Sequence, residues 1–266
     1  MCGIVGLFLK DESLEPQLGS LVDSMLTEMS DRGPDSAGMA IYRNPVDDGE
    51  FKITLSNPAD DYAWDKLAAG MESDLAVSIR FQTFWNHAVL VVRGDEEPVL
   101  TWLRSKHPDV RITSVGTDIE IFKEQGLPEE VSERFGLAKF AGSHAVGHTR
   151  MATESAVTTE HSHPFSTGLD LCLVHNGSLS NHNRMRRELE RQGVKFETDN
   201  DSEVAAGFLT MKLNQGLSLS EALEEGLSEL DGFYTFAVGT KDGFAVLRDS
   251  FACKPAVLAE TDRWVA

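Results

Sequence analysis

Hydrophobic and polar positions change their period several times along the chain, and each change marks an element. The unbroken apolar run Ile4-Val5-Gly6-Leu7-Phe8 reads as a buried strand beginning almost at the first residue. Leu18, Leu21, Val22, Met25, Leu26 and Met29 then recur at helical spacing, which predicts a helix with one buried face that stops at Asp31-Arg32-Gly33-Pro34. Met39-Ala40-Ile41-Tyr42 predicts a second strand, antiparallel to the first. Residues 45–142 follow a pattern of their own: strand 51–55, helix 61–71, strands 75–81 and 88–92, helix 98–106 and strand 110–115, then two short helices over 118–136. The order β-α-β-β-α-β suits an inserted ferredoxin-like α/β subdomain, with a less regular cap as the alternative.

The parent pattern resumes with Ala145-Val146-Gly147-His148-Thr149-Arg150, a strand that ends in polar groups. A loop over 151–167 carries His161-Ser162-His163-Pro164, and a strand from 169 to 174 runs into His175-Asn176-Gly177. Ser180 or Asn181 caps a helix that ends before Gly193, and the acidic turn Asp199-Asn200-Asp201-Ser202-Glu203 opens another that reaches Lys212. Ser218 and Glu221 form a capping box for a helix to Leu230, and 233–238 with 244–247 read as a hairpin. Strands cluster at both ends of the parent sequence and helices between them. This predicts an α+β fold of antiparallel sheets covered by helices, with residues 2–44 and 143–266 as the parent domain and 45–142 as the insert.

Composition narrows the function classes. No apolar run approaches the roughly 20 residues of a membrane span, and Asp11 and Glu12 cut short the only N-terminal apolar stretch, so neither a membrane segment nor a signal peptide is expected. Lys and Arg number 24 against 43 Asp and Glu, and the net charge of −19 opposes binding to phosphate backbones and anionic lipid, so no nucleic acid and no membrane partner is expected. Three cysteines, Cys2, Cys172 and Cys253, are too few and too scattered for a disulfide framework, and a reactive thiol must stay reduced, which points to the cytoplasm. Cys172, inside Leu171-Cys172-Leu173-Val174, reads as a small buried hydrophobe.

Removal of Met1 would leave Cys2 with a thiol and a free α-amine on one residue. The thiol titrates near about 8.5 and the amine near about 8, so the amine can take the thiol's proton close to neutral pH. A thiolate attacking a carboxamide makes an oxyanion that needs fixed donors. Asn176 supplies an amide and Gly177 an unobstructed backbone N–H, although Asn-Gly is also the commonest hairpin turn. Arg150 has the fork to clamp an α-carboxylate, and Asp201 at a helix mouth the charge to meet an α-ammonium. Singly, each is an ordinary surface charge; together they make a nucleophile, a base, an oxyanion hole and a two-point grip on an amino acid.

These residues carry a resemblance. Cys2-Gly3-Ile4-Val5-Gly6, Arg32-Gly33-Pro34-Asp35-Ser36-Ala37-Gly38, Gly147-His148-Thr149-Arg150-Met151-Ala152-Thr153, His163-Pro164, His175-Asn176-Gly177 and Asp201-Ser202-Glu203-Val204 resemble, in order, the motifs of class II glutamine amidotransferases, the N-terminal-nucleophile (Ntn) glutaminase domains of glutamate synthase, amidophosphoribosyltransferase, glucosamine-6-phosphate synthase and asparagine synthetase. The likeness covers the chain outside 45–142. It implies a four-layer αββα Ntn-hydrolase sandwich that hydrolyses glutamine to glutamate and ammonia through a Cys2 thioester. By the same likeness Cys2, Asn176 and Gly177 are catalytic, Arg150, Thr153, His163 and Asp201 bind glutamine, and Arg32 belongs to a loop beside the nucleophile. Met151 departs from the aromatic residue of several members, and the chain stops soon after 249–255, a segment similar to the family's late strand connection, so closing elements of the parent domain are expected to be missing.

A short chain with this insert is most similar to the stand-alone glutaminase subunits of glutamate-synthase-like enzymes such as N-methylglutamate synthase. The resemblance therefore implies a hetero-oligomer in which ammonia passes through a channel to a synthase subunit, no cofactor or metal in this chain, and a flavin or iron–sulfur cluster in the partner. Three alternatives stand beside it: a catalytically silent scaffolding or regulatory subunit with the same fold, a metallohydrolase using His144, His148, His161 and His163, and an Ntn hydrolase acting on another amide.

Overall fold

Alternation along the first strand decides what packs on each of its faces. The computed structural model describes residues 2–152 and 156–266. In β1 (Gly3–Leu9), Val5, Leu7 and Leu9 are buried on one side. Against them lies α1 (Leu18–Glu28), whose Leu18, Val22 and Leu26 fall on one stripe and are fully buried. Each such side chain contributes roughly 1.5–3 kcal/mol by leaving water. A short 3-10 turn, Ser30–Arg32, then leads into β2 (Ser36–Tyr42), all seven of whose residues are buried.

The next six elements are β3 (Glu50–Ser56), α2 (Trp64–Leu75), β4 (Ser78–Phe84), β5 (His87–Arg93), α3 (Glu96–Lys106) and β6 (Arg111–Gly116). They form a separate antiparallel sheet ordered β4-β5-β3-β6, which is the 2-3-1-4 order of a ferredoxin-like unit, with a core of its own around Ile53, Leu55, Trp64, Met71, Leu90 and Val99. Then come β7 (Ile119–Gln125), α4 (Pro128–Phe135), β8 (His144–Arg150), β9 (Cys172–Leu179), α5 (His182–Arg191), α6 (Asp201–Asn214), α7 (Leu219–Glu229), β10 (Gly232–Thr240), β11 (Gly243–Arg248) and β12 (Trp264–Val265).

Two further sheets make the parent sandwich: a five-stranded one ordered β12-β1-β8-β2-β7 and a three-stranded one ordered β11-β10-β9. Ala40, Tyr42, Ile121, Val146, Cys172, Val174 and Ala237 fill the space between them. Helices α1 and α4 cover the outer face of the larger sheet, and α5, α6 and α7 cover the outer face of the smaller one. The layers therefore run α, β, β, α, as expected of an Ntn-hydrolase sandwich. Among the described residues no helix is long and apolar enough to cross a membrane.

Four local expectations are corrected. Strand β2 is not the antiparallel neighbour of β1: β8 lies between them, pairing Ile4 with His148 on one edge and Gly38 with His148 on the other, so β1 and β2 run parallel. With all seven residues buried, β8 suits that central place. The segment expected to open two short helices begins instead with β7, hydrogen-bonded along β2 in the parent sheet. Its side chains alternate, Ile119 and Ile121 facing the inter-sheet core and Phe122 the helical side. Asn176-Gly177 is neither a turn nor a strand end, since β9 continues to Leu179 and pairs Asn176 with Thr235 and Gly177 with Tyr234. Asn181 stands at the cap of α5, yet its side chain is spent on Glu229 O and Asp231 N.

A buried charge cluster joins the inserted sheet to the parent one. Lys52 on β3 meets Glu120 on β7 at 3.0 Å, Arg43 meets the other Glu120 oxygen at 2.7 Å, and the Lys52 and Glu120 side chains are only 2% and 3% exposed. The remaining Lys52 donors reach the carbonyls of Arg43 and Asp118. Nearby, the Asp170 carboxylate accepts from the amides of Thr117, Asp118 and Ile119, which fixes the start of β7 against the strand that leads to Asn176.

Candidate active site

Strands β1, β8 and β9 bring their functional residues to one end of the sandwich. Cys2 immediately precedes β1 and is half-buried, its Sγ lying 3.9 Å from the carbonyl of Met151 just past the end of β8. Its own carbonyl accepts from Asn176 Nδ2 at 3.2 Å and from Arg32 Nε at 3.4 Å. These three residues line an open cavity of about 420 Å³ at this end of the sandwich, with Met25, Glu28 and Met29 on the α1 side and Thr235 and Phe236 on β10.

Arg150 is buried at the last position of β8, where its Nη1 donates to Ala156 O at 2.9 Å. Burial pulls its guanidinium below the ordinary value, and the neighbouring Cys2 and Asp35 oppose that pull. Asp35 does structural work: its N–H donates to Arg150 O at 3.0 Å, and its Oδ2 accepts from Ala152 N at 2.7 Å. The loop carrying Arg32 can approach β8 because residue 33 is Gly, where a Cβ would stand 2.3 Å from the Thr149 carbonyl carbon. Thr149 Oγ1 donates in turn to Met29 O at 3.1 Å, tying β8 to the turn after α1.

Behind this end lies a buried polar network. His163 Nε2 and His175 Nδ1 meet the same hydroxyl, Ser202 Oγ, at 2.8 and 2.9 Å. His148 stacks on His163 with ring centroids 4.1 Å apart, and its Nε2 pairs with His175 O at 3.0 Å. Since a backbone carbonyl only accepts, His148 carries its proton on Nε2. Burial holds the His148 ring down at about 3 and His163 well below its ordinary range, so both rings are neutral. Asp201 opens α6: its Oδ2 accepts from Leu179 N at 2.9 Å, and its Oδ1 lies 3.3 Å from Ser202 Oγ and 3.6 Å from His175 Nδ1.

Cys2, Asn176 and Arg32 thus share one cavity with Arg150 alongside, whereas His163 and Asp201 belong to the network behind and do not line that cavity. Thr153 lies outside the described residues. The four histidines weighed as metal ligands do not converge: His144 pairs with Thr240 O and His161 with Asp199, leaving only His148 and His163 in contact. Among the described residues no group of three His, Cys, Asp or Glu is arranged to hold a metal ion.

Comparison with known proteins decides the family. A glutamine amidotransferase-like protein, GlxB, of Rhizobium meliloti is 55% identical over 100% of this chain and 88% of its own length. The chain belongs to the glutamine amidotransferase family. The family's glutamine amidotransferase domain model matches residues 148–266, from His148 in β8 to the C-terminal residue. An amidophosphoribosyltransferase of Methanocaldococcus jannaschii is 31% identical over 56% of this chain and 32% of its own length. The glutamine phosphoribosylpyrophosphate amidotransferase of B. subtilis, solved with ADP and GMP, shares the fold with a TM-score of 0.57 at 21% identity; this chain is covered in full but spans 41% of that one.

Two features of the candidate site escaped the sequence reading. Glycine at 177 is required by packing as well as by any N–H donor role: its φ is +146°, and a Cβ would stand 2.0 Å from Phe233 O across the β9–β10 pair. Ser202, quoted in the acidic turn and in the Asp201-Ser202-Glu203-Val204 motif but given no role, is the hydroxyl on which His163 and His175 converge. Nothing in its immediate neighbours, Asp201 and Glu203, marks that hydroxyl as their meeting point.

Proposed function

We propose that the chain is a class II glutamine amidotransferase whose Cys2 thiol attacks the side-chain amide of glutamine. The observation that carries this reading is the meeting of Cys2 with the Asn176 amide, 3.2 Å from its carbonyl oxygen, beside buried Arg150. Once Met1 is removed, the α-amine of Cys2 takes the thiol proton as the sulfur–carbon bond forms. Negative charge moves onto the amide oxygen, where Asn176 Nδ2 and the Gly177 N–H stabilise it. The intermediate collapses with cleavage of the carbon–nitrogen bond, the held proton leaves with ammonia, and water then cleaves the thioester to release glutamate and restore the thiol.

Arg150 holds the α-carboxylate and Thr153 completes the grip; the motif resemblance assigns the α-ammonium to Asp201 and a supporting place to His163, both in the network behind the Cys2 cavity. Arg32, bonded to the Cys2 carbonyl, keeps its loop over the nucleophile. Ammonia is delivered to a synthase subunit of glutamate-synthase or N-methylglutamate-synthase type within a hetero-oligomer in the cytoplasm, any flavin or iron–sulfur centre belonging to that subunit. Support for a partner comes from the motif resemblance and from Val257 and Leu258, which wall the Cys2 cavity while 91% and 64% exposed. The test is glutamate release from glutamine by the purified chain and by the complex that co-purifies with it, each compared with Cys2→Ala. Cys2-dependent glutamate is expected in at least one preparation; its absence from both would leave the silent scaffold.

A further inference from the structure

A second cavity, of about 370 Å³, lies between the inserted sheet and the parent sandwich, away from Cys2. Helix α3 and strand β6 wall one side; α6 and the segments 165–169 and 195–198 wall the other. Its lining includes four cations and four carboxylates, and half of these charges are already engaged. Lys123 donates to the carbonyls of Glu160, Ser162 and Pro164, and Arg111 faces Glu160 at 3.9 Å. Glu203 accepts from Glu197 N, Thr198 N and Thr198 Oγ1.

The other four charges are Glu96 and Arg104 on the inserted side and Lys195 and Glu197 on the parent side. None of them makes a side-chain hydrogen bond or ion pair with another described residue. Glu96, Leu100 and Arg104 recur every fourth residue of α3, so they form one stripe along the cavity wall. Each wall therefore contributes one open cation and one open carboxylate. The protein packed around Glu96 and Glu197 raises both carboxyls, the Glu203 charge adding to the rise at Glu197, while Arg104 opposes it at both and Arg111 and Lys123 at Glu197; neither side chain is buried, so both carboxylates remain open to a ligand.

A purely anionic metabolite would satisfy the two cations and be repelled by Glu96 and Glu197; a polyamine would meet the opposite conflict. A molecule with both charges a few bonds apart satisfies all four groups, and Leu100 and Ile112 offer apolar surface for the remainder. We propose that this cavity binds an α-amino acid or similarly small zwitterion, its carboxylate held by Arg104 and Lys195 and its ammonium by Glu96 and Glu197. The site is separate from Cys2 and does not depend on what Cys2 does.

The test is isothermal titration calorimetry on the full-length Cys2→Ala chain, which cannot turn substrate over. The L-amino acids other than glutamine are added one at a time, with acetate and methylammonium as single-charge probes. At least one amino acid is expected to saturate one site, and neither single-charge probe to match its affinity. Arg104→Ala and Glu197→Gln should each weaken that binding at least about tenfold. Both side chains are exposed, and an unchanged unfolding midpoint checks that the variants are folded. Absence of saturable binding by any amino acid, equal binding of acetate or methylammonium, or binding indifferent to both substitutions would overturn the proposal.

Discussion

Replacing Asp201 by Asn removes one charge while keeping the shape of the side chain and an oxygen that can still accept from Leu179 N. Asp201 is 22% exposed at the first turn of α6, where the helix dipole favours a negative group. Burial by itself would raise its carboxyl. The nearby His175 ring, 3.6 Å away, with the hydrogen bond from the Leu179 amide, outweighs burial and lowers it from 3.8 to about 2. At about 1.4 kcal/mol per pH unit, that difference is worth about 2 kcal/mol at neutral pH, and partial exposure trims it toward 1. Because the folded value lies below the unfolded one, this stability is present above about pH 4 and is lost as pH falls toward 2. Urea unfolding of the wild-type chain and Asp201→Asn, at several pH values, reads the gap directly. The expected gap is about 1–2 kcal/mol at pH 7, closing between pH 4 and pH 2. No gap at pH 7, or a gap indifferent to pH, would refute an electrostatic role for the carboxylate.

Three further substitutions probe other parts of the account. Asn176→Ala should lower kcat for glutamine by roughly 10²–10³ with KM little changed, and a loss confined to KM would show that Asn176 binds substrate instead of stabilising the oxyanion. Gly177→Ala places a methyl group 2.0 Å from Phe233 O at a φ of +146°. It should cost about 3 kcal/mol or more in denaturant unfolding, and an unchanged midpoint would contradict the packing described. Glu120→Gln strands the charges of Lys52 and Arg43 between the two sheets. The expected loss is about 3–5 kcal/mol, and a loss below about 1 would mean that the inserted sheet is anchored by something else.

Much of the fold was readable because its signals are local. The apolar run of β1, the α1 stripe, the Ser218–Glu221 capping box and the order of elements in the insert each depend on neighbours in sequence, and each is present. What escaped depends on distant partners. Residues 119–125 read as part of two short helices, since nothing nearby reveals that Glu120 pairs with Lys52 and Arg43 or that Lys123 is held by three carbonyls. The place of β8 between β1 and β2 is likewise settled across more than a hundred residues.

The candidate site divides in the same way. Residue types and motif order pointed to Cys2, Arg32, Arg150 and Asn176, which do gather at one end of the sandwich. The histidine network needed coordinates, because His163 and His175 reach Ser202 from 39 and 27 residues away. Asn176-Gly177 was ambiguous for a physical reason: the dipeptide that suits a hairpin turn also suits a strand needing one amide donor and one position without a Cβ. Only the pairing with Thr235 and Tyr234 separates the two.

The central claim is that Cys2, as first residue of the mature chain, carries the acyl group of glutamine. Intact-mass spectrometry of active protein, quenched in acid during turnover, tests it most directly. The account predicts a chain lacking Met1 with a fraction heavier by one glutamyl group, and no such fraction in Cys2→Ala. Active protein that retains Met1, or a glutamyl adduct that persists in Cys2→Ala, would contradict it.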